Sequence, residues 1–130
     1  MAELIHFATK VSVAADTSTR ITFCPPSSSR KWLVKSCGLM PDATSSTHAS
    51  NYADITLKNG STAITAVRST NSSTGSALTQ GTYVDLPITG TGTNIECTQA
   101  APIHLLLDAT PGTGVALDLT AYATFEEIRQ

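Results

Sequence analysis

Apolar and polar residues alternate with a period of two along most of the chain, and no segment shows the spacing of an amphipathic helix. This alternation predicts β-strands that bury one face. The predicted strands are 5–13, 20–24, 31–40, 52–58, 61–68, 82–88, 94–98, 102–108 and 115–125. Roughly eight or nine strands separated by turns are typical of an all-β, antiparallel β-sandwich or jelly-roll-like fold. We expect one domain over 1–130, in which 1–15 is a first strand or an N-terminal arm.

The clearest local signal is the pair Asn59-Gly60, which is favoured in the type I′ turn of a β-hairpin because both central residues need positive φ. Centring the turn on this pair predicts that Ile55 faces Ile64 across the hairpin. The apolar residues of both strands then fall on one face of the sheet, which supports the strand assignment.

Polar segments separate the predicted strands. The segments 41–51 and 69–81 are rich in Ser and Thr and predict long surface loops. Residues 109–114 predict a tight turn, and 126–130 predict a short charged tail. Loops of this length on a β-sandwich are where ligand recognition would lie.

The amino-acid composition and the net charge exclude some classes of binding partner. Charged residues make up 14% of the chain, against about 25% in ordinary soluble domains, and the chain instead carries 21 Thr and 14 Ser. The net charge of −2 removes the basic surface of a general nucleic-acid binder and of a membrane-surface protein that relies on basic charge. We therefore expect neither nucleic acid nor membrane as a partner.

Three cysteines, Cys24, Cys37 and Cys97, cannot all pair within one chain. The beginning of the sequence shows no secretory signal, and no apolar run reaches the length of a transmembrane helix. These features predict free thiols and folding in a reducing cytoplasm.

Candidate chemistry is sparse. The histidines His6, His48 and His104 lack the spacing of metal ligands, and the cysteines lack a Cys-x-x-Cys pair. Asp108 and Asp118 flank the predicted turn at 109–114, but two carboxylates are too few for a calcium site. There is no Gly-x-Ser-x-Gly elbow. The sequence therefore predicts no catalytic residue, no metal, no cofactor and no small-molecule substrate.

The order of features resembles the small β-sandwich proteins that decorate the heads of tailed bacteriophages. The matching segments are RITFCPP (20–26), KWLVKSCGLMP (31–41), YADITLKNGSTAITAV (52–67) and PIHLLLDATPGTGVALDLTAYATF (102–125). The resemblance implies a non-enzymatic cement protein that binds the major capsid protein on the outer capsid surface. It also implies a homotrimer and assembly in the cytoplasm of a host bacterium.

The N-terminal segment contains the candidate residues for contact with a capsid or a second subunit. Leu4, Ile5 and Phe7 are apolar although they lie near the end of the chain, where residues are usually polar. An ordinary first strand explains the same pattern equally well.

A second class of function remains open from the sequence alone. A carbohydrate- or receptor-binding module of a phage tail, a fibre or a cell surface would use the loops 41–51 and 69–81. The low aromatic content, 5%, weakens this alternative because sugar sites usually contain aromatic platforms. For the only tryptophan, Trp32, we expect a place in the core.

Overall fold

The computed structural model describes residues 3–111 and 115–129, with the backbone alone described at 129. These residues form ten β-strands and one short 3₁₀ helix at 92–95. The strands are β1 (Glu3–Val13), β2 (Ser18–Phe23), β3 (Arg30–Pro41), β4 (Asp54–Asn59), β5 (Thr62–Ala63), β6 (Arg68–Ser69), β7 (Val84–Asp85), β8 (Glu96–Cys97), β9 (Ile103–Asp108) and β10 (Leu117–Arg129). No helix in the described part of the chain is long and apolar enough to cross a membrane.

The all-β antiparallel class is confirmed. There are ten described strands in place of the eight or nine expected, because the predicted strand 61–68 is divided into β5 and β6. The predicted strands 82–88 and 94–98 are reduced to two residues each, in β7 and β8. The predicted turn at 109–114 lies partly outside the described residues, at 112–114.

The strands form two five-stranded sheets. In the first sheet, β10 lies between β1 and β3, and β7 and β8 pair with β3. In the second sheet, β9 lies between β2 and β4, and β5 and β6 pair with β4. Strands β1 and β3 lie in the first sheet, and β2 and β4 lie in the second. Strand β9 then pairs between β2 and β4, and β10 pairs between β1 and β3. The chain is therefore wound as a jelly roll, a topology that periodicity alone left undecided.

One apolar core fills the space between the sheets. It forms because each long strand places alternate side chains on its inner face, away from water. The largest fully buried side chains are Val13, Leu39, Ile55, Leu57, Ile64, Leu78, Ile103, Leu105, Leu107, Leu117, Leu119 and Phe125.

Strand β10 continues through 126–129, where the sequence predicts a charged tail. The acidic residues there are matched by cations on the neighbouring strand β3. Arg30 donates to Oε1 of Glu127 at 2.7 Å, and Lys35 Nζ lies 2.8 Å from Glu126 Oε2. These cross-strand ion pairs allow a charged segment to remain in the sheet.

The predicted hairpin turn at Asn59-Gly60 is wrong. Asn59 pairs with Thr62, so the two turn residues are Gly60 and Ser61. Gly60 supplies the positive φ, 60°, at the first central position, where a type II′ turn requires glycine. The expected pairing of Ile55 with Ile64 is lost, and Ile55 pairs instead with Arg68 of β6.

The predicted strand 61–68 is wrong as a single strand, because only Thr62–Ala63 and Arg68–Ser69 are strands and Thr65 between them bridges to Ile88 in another segment. Ile64 is buried as predicted, whereas Ala66, predicted on the same face, is exposed.

The side chain of Asn59 explains why it stays in the strand. Its Nδ2 donates to the carbonyl oxygens of Thr93, Asn94 and Glu96 at 3.4, 3.1 and 3.2 Å. These contacts join the end of β4 to the segment around the 3₁₀ helix. Turn propensity is a local preference, and this tertiary contact outweighs it.

Candidate interaction surface

Both sheets end at the same side of the sandwich, which we call the open edge and define by strands β1 and β2. Strand β1 is the outermost strand of the first sheet, and β2 is the outermost strand of the second. The rings of Phe7 on β1 and Phe23 on β2 have centroids 5.3 Å apart, which places the two strands side by side across the core. Each strand pairs with one neighbour within the described residues, so its outer backbone groups have no strand partner.

The candidate contact residues Leu4, Ile5 and Phe7 all lie on β1, but on two different faces. Ile5 and Phe7 point between the sheets and are half-buried against the core. Leu4 points away from the core and is 59% exposed. Successive side chains of a strand point in opposite directions, so Leu4 cannot join the apolar row formed by its neighbours.

The apolar row of the open edge extends beyond the predicted residues. Val11 on β1 and Ile21 on β2 are also half-buried and pack against the core from the same side. The sequence placed both residues on apolar strand faces but could not show that their strands are edges. The inter-sheet core is thus incompletely covered along this side.

Phe7 is the outer member of an aromatic cluster. Its ring centroid lies 5.3 Å from Phe23, 5.5 Å from Trp32 and 5.8 Å from Phe125. The core position expected for Trp32 is confirmed, because the side chain is buried and also contacts Phe125. The half-buried ring of Phe7 covers this cluster and is itself partly accessible to a partner.

Strand β1 lacks most of the features that protect edge strands from pairing with other chains. It is 11 residues long, has no proline and carries only Glu3, Lys10 and the histidine His6 as ionisable side chains. Its pairing with β10 is regular from end to end, and the one bulge in this sheet lies between β10 and β3. Such an edge is suited to pairing with an extended segment of another protein.

The two predicted loops are braced against each other. Ser45 and Leu78 exchange backbone hydrogen bonds at 2.8 and 2.9 Å, and the Gln80 N–H donates to Thr44 Oγ1 at 3.0 Å. The guanidinium of Arg68 donates to three carbonyl oxygens of the second loop region, those of residues 69, 76 and 77. Long-range hydrogen bonds of this kind, which sequence periodicity does not report, give the two loops a defined shape.

His48 lies in a shallow surface pocket of about 360 Å³ on the first loop. The pocket is lined by Thr44, Ser45, Ser46, Thr47, His48, Asn51 and Val115. His48 Nδ1 accepts hydrogen bonds from the N–H groups of Ser50 and Asn51 at 3.0 and 2.9 Å. These bonds hold the ring in the tautomer whose proton is on Nε2, so the ring offers a donor there.

An exposed tyrosine pair was not predicted from the sequence. Tyr83 and Tyr122 lie on the outer face of the first sheet, with ring centroids 6.3 Å apart. Gly38 makes this possible, because a Cβ at that position would lie only 1.9 Å from the Tyr83 hydroxyl. The two tyrosines are 39 residues apart in sequence, and only the pairing of β10 and β7 with β3 brings them together.

The remaining candidate residues do not converge. No group of three His, Cys, Asp or Glu side chains in the described ranges could hold a metal ion. Cys24 is exposed, whereas Cys37 and Cys97 are buried, and all three thiols are free. Burial raises the pKa of Cys37 to about 12 and that of Cys97 to about 11, so both are held as thiols at neutral pH.

The comparisons with known proteins give no family. No family model matches the chain, and no curated protein does. Among solved structures, the chain is similar to a chain of the cyanophage Pam1 capsid asymmetric unit at TM-score 0.45 and 13% identity, covering 96% of this chain and 85% of that one. It is similar to FLHE at TM-score 0.48 and 10% identity, covering 99% and 98%.

A chain of tobacco necrosis virus is similar at TM-score 0.41 and 11% identity, covering 99% of this chain and 96% of that one. All three TM-scores are below 0.5. These similarities therefore assign no function to the chain.

Proposed function

We propose that this chain is a structural virion protein, a decoration or cement protein that binds the outer surface of an assembled tailed-phage head. The observation that carries the proposal is the open edge, where β1 is unprotected and Ile5, Phe7, Val11 and Ile21 leave the core incompletely covered. A cement protein requires a surface on which another protein can pair and pack, and the open edge offers both an unpaired strand and apolar side chains.

The binding would stabilise the capsid by mass action. A protein that binds the assembled lattice but not its free subunits shifts the assembly equilibrium toward the lattice. Main-chain hydrogen bonds along the edge of β1 would supply affinity, and the half-buried row would supply apolar contact. Leu4 would extend the contact onto the outer face of the first sheet.

The proposed partners are the major capsid protein and two further copies of this chain. In a homotrimer, three contacts with the lattice act together, so that a modest affinity at each contact becomes a high overall affinity. Assembly in the cytoplasm of a host bacterium agrees with three free cysteines. Light scattering of the purified chain measures its mass in solution, and electron microscopy of decorated heads shows how many copies occupy each site. A monomer in both measurements would contradict the homotrimer.

The binding experiment uses phage heads that lack the chain, mixed with purified protein, with occupancy counted by electron microscopy. We expect the wild-type chain to saturate the heads. The variant Ile5→Thr should bind about tenfold more weakly, since a central apolar contact commonly contributes more than 1 kcal/mol. Val67→Thr is the matched control, because Val67 is a β-branched exposed residue away from the open edge.

Three outcomes separate the parts of this proposal. Failure of the wild-type chain to bind heads would contradict the decoration role. Full occupancy by Ile5→Thr at wild-type affinity would contradict the contact at the open edge and leave the role intact. Urea unfolding of each variant shows whether a loss of binding reflects a loss of folding.

A carbohydrate-binding role is the second candidate, and the pocket at His48 favours it. Its lining consists mainly of hydroxyl groups, with the amide of Asn51 and the fixed Nε2 donor, and it has no charged lysine, arginine or carboxylate. A glycan array with the isolated chain tests it. Specific binding that Thr47→Val abolishes, and that Thr74→Val on the neighbouring loop does not, would support it, and an array without signal would contradict it.

A further inference from the structure

His104 lies on the outer face of the second sheet, between two other strands. It is opposite Thr22 on β2 and opposite Lys58 on β4. Arg20 is two residues before Thr22 on β2 and therefore points to the same face, diagonally adjacent to His104. Although it is on an outer face, the His104 side chain is only 8% exposed.

The Nε2 atom of His104 has no hydrogen-bond partner. It is the one buried side-chain nitrogen or oxygen within the described ranges for which none is found. The other two histidines do find partners, since His6 Nδ1 is 3.0 Å from Thr124 Oγ1 and His48 Nδ1 accepts two backbone N–H groups. A buried polar atom without a partner often marks the place of a water or an ion.

The cations beside His104 are also unpaired. The side chains of Arg20 and Lys58 form no salt bridge or hydrogen bond with any described residue, whereas Arg30, Lys31 and Lys35 each pair with a glutamate. The nearest carboxylates on this face, Asp54 and Asp108, are four positions from Lys58 and His104 along their strands, a distance of about 13 Å. Asp108 is diagonally adjacent to Arg20, but its Oδ1 accepts from the N–H and hydroxyl of Thr110 and forms no ion pair with Arg20. Positive charge is thus concentrated at one end of this face in a chain whose net charge is −2.

The electrostatics of His104 reflect the same arrangement. Burial lowers its pKa first, and the positive charges of Arg20 and Lys58 lower it further. His104 is therefore neutral, because it is buried and the charged side chains that act on it, Arg20 and Lys58, are both positive. An anion placed among these side chains would reverse the effect of both cations.

We propose that the chain binds a phosphate-class oxyanion at this place, between Arg20 and Lys58 and above His104. The two cations match the charge of a phosphate dianion, and the exposed Thr22 hydroxyl supplies a further donor. His104 Nε2 is buried, so it joins the site only when the side chains that cover it move toward the anion. The long side chains of Arg20 and Lys58 have no other polar contacts to break when they close around the anion. The site is independent of the open edge and of the proposed virion role.

The test measures the binding of inorganic phosphate to the full chain by NMR, following the imidazole signals, at constant ionic strength maintained with chloride. We expect the His104 signals to shift and its pKa to rise as phosphate is added. Arg20→Gln and Lys58→Gln should each weaken binding about tenfold, the size expected for a lost charge-assisted hydrogen bond. Lys10→Gln is the matched control, because Lys10 on β1 is also unpaired but is remote from this face.

A parallel titration with glycerol 3-phosphate identifies the source of the oxyanion. Tighter binding of the ester indicates a phosphomonoester, and tighter binding of the inorganic ion indicates free phosphate. Unmoved His104 signals in both titrations would overturn the proposal. An equal loss of affinity in Lys10→Gln would also overturn it, because the attraction would then be a general effect of charge.

Discussion

Phe7 on β1 and Phe125 on β10 meet edge to face, with ring centroids 5.8 Å apart and planes at 82°. Phe125 is completely buried, whereas Phe7 is only half-buried. This pair therefore joins the interior of the jelly roll to its open edge. It makes the stability of the fold and the shape of the candidate contact surface depend on the same ring.

Replacing Phe7 with Ala should destabilise the fold by about 2 kcal/mol, less than the 3–5 kcal/mol typical of a fully buried phenylalanine. The loss follows from the contacts of Phe7 with three aromatic rings. Urea unfolding measures it. Leu4→Ala, at an exposed position on the same strand, should change the free energy of unfolding by no more than about 0.5 kcal/mol. Equal effects of the two substitutions would contradict the assigned packing.

Asn59→Ala should destabilise the chain by about 1–3 kcal/mol, because three carbonyl oxygens lose their donor. Hydrogen exchange should become faster in the segment around the 3₁₀ helix, since Asn59 holds it to β4. Asn94→Ala is the control, because this side chain is exposed and the backbone carbonyl that Asn59 contacts is retained. Unchanged exchange in Asn59→Ala would show that the amide does not hold the segment.

Stability should fall as the pH is lowered from about 7 to 5, in part because of His104. Its pKa is lower in the folded state than its ordinary value of 6.5, so the unfolded chain binds the proton more tightly. The contribution of His104 is fully present above the unfolded pKa and is lost as the pH falls toward the folded one. Urea unfolding at several pH values should show a smaller decrease for His104→Gln than for the wild type. Parallel curves for the two proteins would refute this assignment.

One thiol of the native protein should react rapidly with a disulfide reagent, and all three should react after denaturation. Cys24 is exposed, whereas Cys37 and Cys97 are buried and have raised pKa values. Cys24→Ser should abolish the rapid phase. A rapid phase that persists in this variant would place a reactive thiol at one of the other two positions.

The sequence identified the long strands and their buried faces, because side-chain direction alternates locally along a strand whatever its neighbours are. It also predicted the segment of Leu4, Ile5 and Phe7 as a strand or an arm, and the structure describes this segment as part of β1. The contact role of these three residues stays a prediction. The errors occur at Asn59, in the predicted strand 61–68 and at the charged end of β10, where contacts with distant segments outweigh local preference.

Which strands become neighbours was decided only by the tertiary structure. The jelly-roll order makes β1 and β2 edges, brings Tyr83 to Tyr122 and places Arg20 and Lys58 on either side of His104. None of these relationships leaves a local signal, since each joins residues far apart in the chain. Periodicity reports the direction of a side chain, whereas a surface or a site depends on what lies beside it.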